Sequence, residues 1–347
     1  DVDGNIGYVM AARVPVRKKG HGEVPVPGET DDYEWAGYIP FEQLPQAFNP
    51  PSGVIATANA RVVGPKYKPY LTDRWESPYR TARIYDLLRD KKNLRPADFL
   101  AVQTDIYSYP HAFLAEQLAA ASKNAQPHDA RAQEIVKRLG DWSGLARTGD
   151  IEPAFLEAAR SALLNLLLEP YLGGETRLYQ WRGTVFLQNV LRERPERWLP
   201  KGYKSYDDVL MAAADRAATE LERVSGEKSA SDWTWARFNS LEMTHAMGRR
   251  GPLRNLLSIT GKPQGGTLYS IRAAQLRHGP AMRFVADLGN WDDSIMLIPA
   301  GESGQFGSTH YRDQFPYWYE GKPIEAPFSA KAVESAVRHR LELKPGP

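Results

Sequence analysis

The run Ala281-Met-Arg-Phe-Val-Ala-Asp287 leads through Leu288-Gly-Asn-Trp-Asp-Asp293 into Ser294-Ile-Met-Leu-Ile298. The two outer pieces have the apolar character of strands, and the Gly, Asn and Asp residues between them favour a turn. We therefore predict a pair of strands near the carboxy-terminal end of the chain. Since a long helical region precedes this pair, the sequence favours an α+β fold.

The amino-terminal end also has strand character. Asp1-Val-Asp-Gly-Asn5 is typical of a turn, and Ile6-Gly-Tyr-Val-Met10 follows it with the pattern of a strand that pairs across a hairpin. The oxygen-bearing side chains of this turn could instead open a calcium-binding loop. However, the glycine stands at the fourth position, whereas an EF-hand needs it at the sixth. From there through residue 75, prolines, glycines and aromatic residues predict short strands separated by loops.

Capping residues and apolar faces predict helices between the two ends. The first has Ser77 as its N-cap and Pro78 in its first turn, and runs through Leu88. Residues 153–168 carry leucines around the whole circumference, which is typical of a helix buried in a core. A later helix is predicted from its two ends, an amino-terminal cap formed by Ser205 with Asp208 and a closing Gly226.

These elements combine into one prediction for the whole chain. We expect an α+β architecture in which residues 1–75 and 280–328 supply sheet segments and residues 76–279 form a mainly helical insertion. The sequence contains no internal repeat and no low-complexity tract that would suggest a different organisation.

Composition excludes several classes of protein. The 347 residues are 42% hydrophobic and 25% charged, which is ordinary for a globular protein. The formal net charge of +2 would attract neither a phosphate backbone nor an anionic lipid surface, so we expect neither nucleic acid nor membrane as a partner. Since the chain has no cysteine, it forms no disulfides, thiolate nucleophiles or cysteine-bound zinc sites.

Two residues are candidates for a polar functional site. Arg80 falls in the first turn of its predicted helix on the same face as Ile84, so a cation lies near the positive end of the helix dipole. Asn59 ends the apolar, strand-like run Gly53-Val-Ile-Ala-Thr-Ala-Asn59, where its amide can donate to a group beyond the strand. From the residues alone, each has an ordinary alternative. Arg80 could pack its stem and extend its charge into solvent, and Asn59 could simply form a turn.

A series of short motifs, kept in order, runs along both ends of the chain. The amino-terminal set is Gly4-Asn-Ile-Gly-Tyr8, Pro25-Val-Pro-Gly28, Tyr33-Glu-Trp35, Gly53-Val-Ile-Ala56, Asn59 and Arg80. The carboxy-terminal set is Asp287-Leu-Gly-x-Trp291-Asp292, Gly301-x-Ser303-Gly304-Gln305 and His310-Tyr311. Together they closely resemble the penicillin acylase (penicillin amidase) family of N-terminal-nucleophile hydrolases, whereas the helical middle resembles it only loosely.

The resemblance implies a four-layer αββα sandwich and amide hydrolysis by the amino-terminal Ser, Thr or Cys of a β-chain, whose free α-amine is the base. By position in the motifs, Asn59 is similar to the asparagine whose side-chain amide helps form the family's oxyanion hole. Arg80 is similar to the arginine that orders the site beside it. An amide N–H directed at a developing oxyanion stabilises the transition state by several kcal/mol. We therefore predict that Asn59 and Arg80 are the catalytic residues within this chain.

The motifs match the carboxy-terminal portion of such a β-chain. We therefore expect two partners, the amino-terminal part of the β-chain with its nucleophile and a separate α-chain. Asp1 cannot supply the nucleophile, because a carboxylate attacks weakly and forms no alkoxide or thiolate. The family also implies a structural calcium ion, for which Asp73 is a candidate ligand while the other ligands are unknown. It further implies a periplasmic or secreted location.

Two other functions compete with amide hydrolysis. One is a non-catalytic binding or scaffolding protein derived from the same family. The other is a carbohydrate-binding module, suggested by nine Trp and 17 Tyr, but these aromatic residues are scattered through proline-rich loops instead of forming one face. For an enzyme, the family's substrates are penicillins, acyl-homoserine lactones and lipopeptides, and this sequence does not select one acyl group among them.

Overall fold

The computed structural model describes residues 1–346, and the chain divides into two compact units. One unit is Asp1–Asn93, and the other begins at Leu94. The first consists mainly of loops and short strands with one helix, and the second is mainly helical with four short strands. Helices and strands therefore occur in the same chain, as the α+β prediction requires.

The first unit contains two antiparallel strand pairs. Strand β1 (Gly7–Val9) pairs with β4 (Gln46–Phe48), and β2 (Pro15–Arg17) pairs with β3 (Trp35–Tyr38). The predicted turn before β1 is confirmed, since the Gly4 N–H donates to the carbonyl of Asp1 at 3.1 Å. The predicted hairpin is wrong, because β1 pairs with a strand distant in sequence instead of with its neighbour.

Helix α1 (Tyr79–Leu88) is the single helix longer than one turn in the first unit. Its predicted end at Leu88 is confirmed. The predicted Ser77 cap is wrong, because Pro78 occupies the cap position with helical φ −73° and ψ −9°, and no side chain caps the helix. Ser77 therefore lies one residue too early to accept a hydrogen bond from the first turn.

The second unit is built around a helical core. Leucines and alanines of α3, α4, α5 and α7 are buried together with Trp233 and Trp235. The helices of this unit are α2 (Pro96–Gln103), α3 (Tyr109–Ala121), α4 (Ala130–Leu139), α5 (Glu152–Leu172), α6 (Thr184–Glu193), α7 (Tyr206–Ser225), α8 (Trp235–Phe238), α9 (Leu253–Leu257), α10 (Phe315–Glu320) and α11 (Ala330–Ala336). None of the helices in residues 1–346 combines the length and apolar character needed to cross a bilayer.

Two of these helices confirm the predictions from caps and periodicity. Helix α5 covers the predicted residues 153–168 and buries apolar side chains around its circumference, as a core helix does. At the start of α7, the Asp208 N–H donates to the Ser205 hydroxyl at 3.2 Å. At its end, Gly226 adopts the left-handed conformation, φ 74°, that a residue without a Cβ accepts readily.

The strands of the second unit form two more antiparallel pairs. Strand β5 (Ser240–Met243) pairs with β6 (Ile259–Pro263), and β7 (Arg283–Val285) pairs with β8 (Ile295–Leu297). The second pair confirms the strands and turn predicted at 281–298. The β5–β6 pair was not predicted, and it contributes to a small second core with Leu297, Phe315 and Trp318.

A buried polar network joins α3 to α5. The Ser108 hydroxyl lies 2.7 Å from Nδ1 of His111, whose Nε2 lies 3.1 Å from a carboxylate oxygen of Glu157. Arg160 holds the same carboxylate through Nε at 3.0 Å and Nη2 at 2.5 Å. Because a carboxylate only accepts, His111 donates to it through Nε2.

The Glu157 carboxylate is the charge that makes burial of Arg160 tolerable. Arg160 is 6% exposed, and a buried guanidinium without a counter-charge is strongly destabilising. Because the Glu157 side chain is itself 37% exposed, we expect Glu157→Gln to lower the free energy of unfolding by about 2 kcal/mol, measured by chemical denaturation. The matched control is Glu220→Gln, which breaks an exposed pair with Arg223 at the same i,i+3 spacing and should cost less than about 0.5 kcal/mol. Equal losses in the two variants would contradict this role of Glu157.

The pKa of Glu157 determines how this network responds to acid. Burial alone would raise that pKa, but Arg160 and His111 outweigh burial and hold it well below its ordinary value. A carboxylate with a lowered pKa in the folded state stabilises the protein above its unfolded pKa of about 4.3, and this contribution is lost as the pH falls. The stability difference between wild type and Glu157→Gln should therefore narrow below about pH 4 in the same unfolding measurements.

Candidate functional site

Asn59 lies at a constrained point of the first unit. Its φ of 69° is left-handed, a conformation that asparagine tolerates better than most residues with a Cβ. Its carbonyl accepts a hydrogen bond from the N–H of Glu76 at 3.0 Å, and the following Ala60 is buried. The backbone on both sides of its Cα is therefore fixed, although the residue itself is exposed.

Arg80 sets the orientation of the Asn59 amide. Its Nη2 donates to Oδ1 of Asn59 at 3.0 Å. A guanidinium has only donors, so the atom facing it must be the amide oxygen. The NH2 group at Nδ2 is consequently directed to the other side, and no acceptor within residues 1–346 forms a hydrogen bond with it. The structure thus brings the two predicted site residues into direct contact and presents an N–H donor.

The Arg80 side chain is half-buried in the second position of α1. Burial lowers the pKa of Arg80, and the Glu76 carboxylate partly offsets that effect. Because the ordinary pKa of an arginine lies far above neutral, Arg80 remains a cation at neutral pH. The Nη2 contact is therefore a charge-assisted hydrogen bond, which is stronger than a neutral one.

The chain leading to Asn59 is not a strand. Residues 54–59 belong to no strand within residues 1–346, which corrects the strand-like interpretation of this apolar run. The N–H of Ala58 instead donates to the Thr81 hydroxyl at 2.9 Å, and the N–H of Ala56 donates to the Tyr85 hydroxyl at 3.3 Å. Sequence reasoning missed both hydroxyls. The available signal was their i,i+4 spacing, which places Thr81 and Tyr85 on one face of α1.

Asp73, the predicted calcium ligand, lies in another polar group of the same unit. A hydrogen bond with Glu23 holds the pKa of Asp73 below its ordinary value, and the Tyr70 hydroxyl donates to Glu23 at 3.1 Å. Calcium requires six to eight oxygen ligands. In the described part of the chain, no three acidic or histidine side chains come together as a metal site. These residues alone do not fit a calcium ion.

Comparison of the whole chain with known proteins identifies its family. The model of the penicillin amidase family matches residues 1–335. The chain belongs to the penicillin amidase family. This result confirms the resemblance inferred from the spaced motifs, because the match extends through the helical middle as well as both ends.

Individual relatives cover nearly all of this chain but only part of their own length. Penicillin acylase 2 proenzyme of Pseudomonas sp. strain SE83 is 28% identical over 99% of this chain and 45% of that protein. An acyl-homoserine lactone acylase of Pseudomonas fluorescens is 26% identical over the same shares, 99% and 45%. The chain therefore spans less than half the length of the curated relatives it matches.

A solved structure has the same fold. Thermostable penicillin G acylase from Alcaligenes faecalis superposes with a TM-score of 0.70, over all of this chain and 67% of that one, at 17% identity. The predicted fold class, part of an N-terminal-nucleophile hydrolase fold with α+β composition, is confirmed. At this identity the likeness concerns the fold alone, so the roles of Asn59 and Arg80 remain predictions.

Substitutions of Arg80 test whether it holds the site together. Arg80→Ala removes both the packed stem and the Asn59 contact, so we expect the free energy of unfolding to fall by about 1 kcal/mol and the folded yield to decrease. Arg80→Lys keeps the charge and most of the stem, so its stability should lie closer to wild type, although the planar fork is lost. Thermal unfolding of both variants checks this, and equal stability of Arg80→Ala and wild type would contradict it.

Proposed function

We propose that this chain is part of an acylase that hydrolyses the amide bond of an N-acylated small molecule. In this proposal Asn59 supplies an oxyanion donor and Arg80 orders it. The observation that carries the proposal is the 3.0 Å hydrogen bond from Arg80 to Oδ1 of Asn59, which leaves the amide NH2 group at Nδ2 free to donate. Membership of the penicillin amidase family supports the same reaction class.

The chemistry follows from the charge that develops on the substrate. Attack on an amide carbonyl turns its neutral oxygen into an oxyanion, and a donor already in place stabilises that charge without reorganising. Asn59 meets this requirement because its backbone is held by Glu76 and its side chain by Arg80. The interaction strengthens only as charge appears, so it lowers the barrier more than it improves substrate binding.

The nucleophile and its base belong to polypeptide outside residues 1–347 in this proposal. The family resemblance assigns both to one amino-terminal Ser, Thr or Cys, whose α-amine takes the proton of its own side chain. The amino-terminal part of the β-chain and an α-chain are the proposed partners. A structural calcium ion would take most of its ligands from those partners.

The substrate class follows the relatives, whose names include penicillin acylases and acyl-homoserine lactone acylases. Both kinds of substrate carry an acyl group on nitrogen, which is the bond that the proposed site addresses. A periplasmic or secreted location is proposed on the same family grounds.

Substitution of Asn59 tests the oxyanion assignment. The test uses the parent enzyme, that is, the intact acylase proposed to contain this chain and its partners. Asn59→Ala should lower kcat by about a hundredfold or more, as expected for loss of one oxyanion donor. KM should change little, because the ground-state carbonyl is neutral. Steady-state kinetics on an N-acyl amide substrate measure both constants. Full kcat in Asn59→Ala would refute the assignment.

Two controls separate the lost donor from a change in backbone strain. Asn59→Gly relieves the left-handed φ and also removes the amide, so its kcat should fall as far as that of Asn59→Ala. Asn93→Ala makes the same change at another exposed asparagine with positive φ, 55°, and should leave kcat unchanged.

The chain without its proposed partners should show no amidase activity. The expected result for purified residues 1–347 is no turnover of a chromogenic phenylacetyl or fatty-acyl amide, because an oxyanion donor without a nucleophile does not cleave the bond. Turnover that survives rigorous purification and disappears on mutating a serine within this chain would show that the nucleophile lies here instead.

A further inference from the structure

Two hydroxyl groups of α1 take the place of a neighbouring strand for the segment that ends at Asn59. Thr81 Oγ1 accepts from the N–H of Ala58 at 2.9 Å, and the Tyr85 hydroxyl accepts from the N–H of Ala56 at 3.3 Å. All four residues are half-buried, so leaving these amides without acceptors would be costly. The helix therefore satisfies alternate amides of a segment that no strand of the described chain supports.

The spacing of the two contacts explains why a helix can do this. Side chains four residues apart on a helix face have Cβ atoms about 5–6 Å apart. Residues two positions apart can be separated by up to about 7 Å along the chain, so their N–H groups can reach both side chains. Thr81 and Tyr85 thus match Ala58 and Ala56 in reverse order.

The hydrogen bond from Arg80 to Asn59 adds a third contact between α1 and this segment. Arg80, next to Thr81 on α1, binds the side chain of Asn59, next to Ala58 on the segment. One helix therefore holds both the side chain of Asn59 and the backbone N–H of the residue before it. A displacement of about 1 Å at a reacting group can reduce a rate about a hundredfold, so the accuracy of this hold matters for catalysis.

We propose that Thr81 and Tyr85 are positioning residues for the Asn59 amide, acting through the backbone of the segment that carries it. The proposal rests on the proposed function of Asn59 as oxyanion donor. Neither hydroxyl is assigned contact with substrate. Thr81 has the shorter hydrogen bond and accepts from Ala58, the residue next to Asn59, so its hydroxyl should matter more than that of Tyr85.

The test uses the intact parent enzyme and steady-state kinetics on an N-acyl amide. Thr81→Val keeps the shape of the side chain and removes the hydroxyl, and should lower kcat about tenfold with KM within about twofold. Tyr85→Phe should lower kcat by a smaller factor. Thr81→Ser restores an acceptor at the same position and should recover most of the lost kcat. If Thr81 had a purely structural role, Thr81→Val and Thr81→Ser would not differ in kcat when their melting temperatures are equal.

Matched controls remove comparable hydroxyls elsewhere. Thr219→Val deletes a helical threonine hydroxyl that donates to the carbonyl of Asp215, and Tyr67→Phe deletes a tyrosine hydroxyl that donates to the carbonyl of Gln43. Both should leave kcat unchanged. Loss of kcat in these controls equal to that in Thr81→Val would overturn the proposal, because any lost hydroxyl would then have the same effect.

A double-mutant cycle decides whether the hydroxyl of Thr81 acts through Asn59. In the Asn59→Ala background there is no amide to position, so adding Thr81→Val should cause no further loss of kcat. A further tenfold loss in that background would overturn the proposal. If Asn59→Ala lowers kcat but Thr81→Val and Tyr85→Phe do not, the positioning role alone fails. If Asn59→Ala itself has no effect, the proposed function fails.

Discussion

The first unit depends on a requirement of the peptide backbone, namely that a half-buried N–H must find an acceptor. In the segment before Asn59 the usual solution, a neighbouring strand, is absent from the described chain. Hydroxyls of Thr81 and Tyr85 supply the acceptors, and this fixes where the segment runs along α1. At the end of this segment Asn59 adopts a left-handed φ, and its side chain accepts a hydrogen bond from Arg80. Contacts from α1 thereby hold the side-chain amide of Asn59 in position. This residue is exposed and belongs to no strand, so neither burial nor a sheet holds it.

The second unit contains a buried charged group that also needs hydrogen-bond partners. Its core is an ordinary assembly of leucines and alanines, yet it contains a guanidinium, Arg160, buried among them. The Glu157 carboxylate connects that guanidinium to the His111 ring, because both donate hydrogen bonds to it. Such a network stabilises the core only when it is complete, because removal of one member leaves the others desolvated and unpaired. It contains Ser, His and Glu, the residue types of a catalytic triad. The serine and histidine are nevertheless buried, and their role here is structural.

Family membership and site geometry contribute different parts of the functional argument. The family match covers nearly the whole chain, while the chain covers under half of its relatives' length. In our proposal, residues 54–88 contain the oxyanion donor Asn59 and the helix that holds it. The groups that attack the carbonyl belong, in our proposal, to partner polypeptide. Under this proposal the chain has a well-ordered donor and needs its partners for turnover.

The sequence by itself determined the α+β class, the buried helix α5, the capped helix α7 and the strand pair at 281–298, because each follows from local periodicity and turn residues. Its spaced motifs also determined the family and singled out Asn59 and Arg80. Only the tertiary structure decided that β1 pairs with β4, that residues 54–59 form no strand, and that Thr81 and Tyr85 hold them. An apolar run has the same appearance whether a strand or a helix satisfies its amides. The partner is chosen by contacts between residues distant in sequence, which no local pattern records.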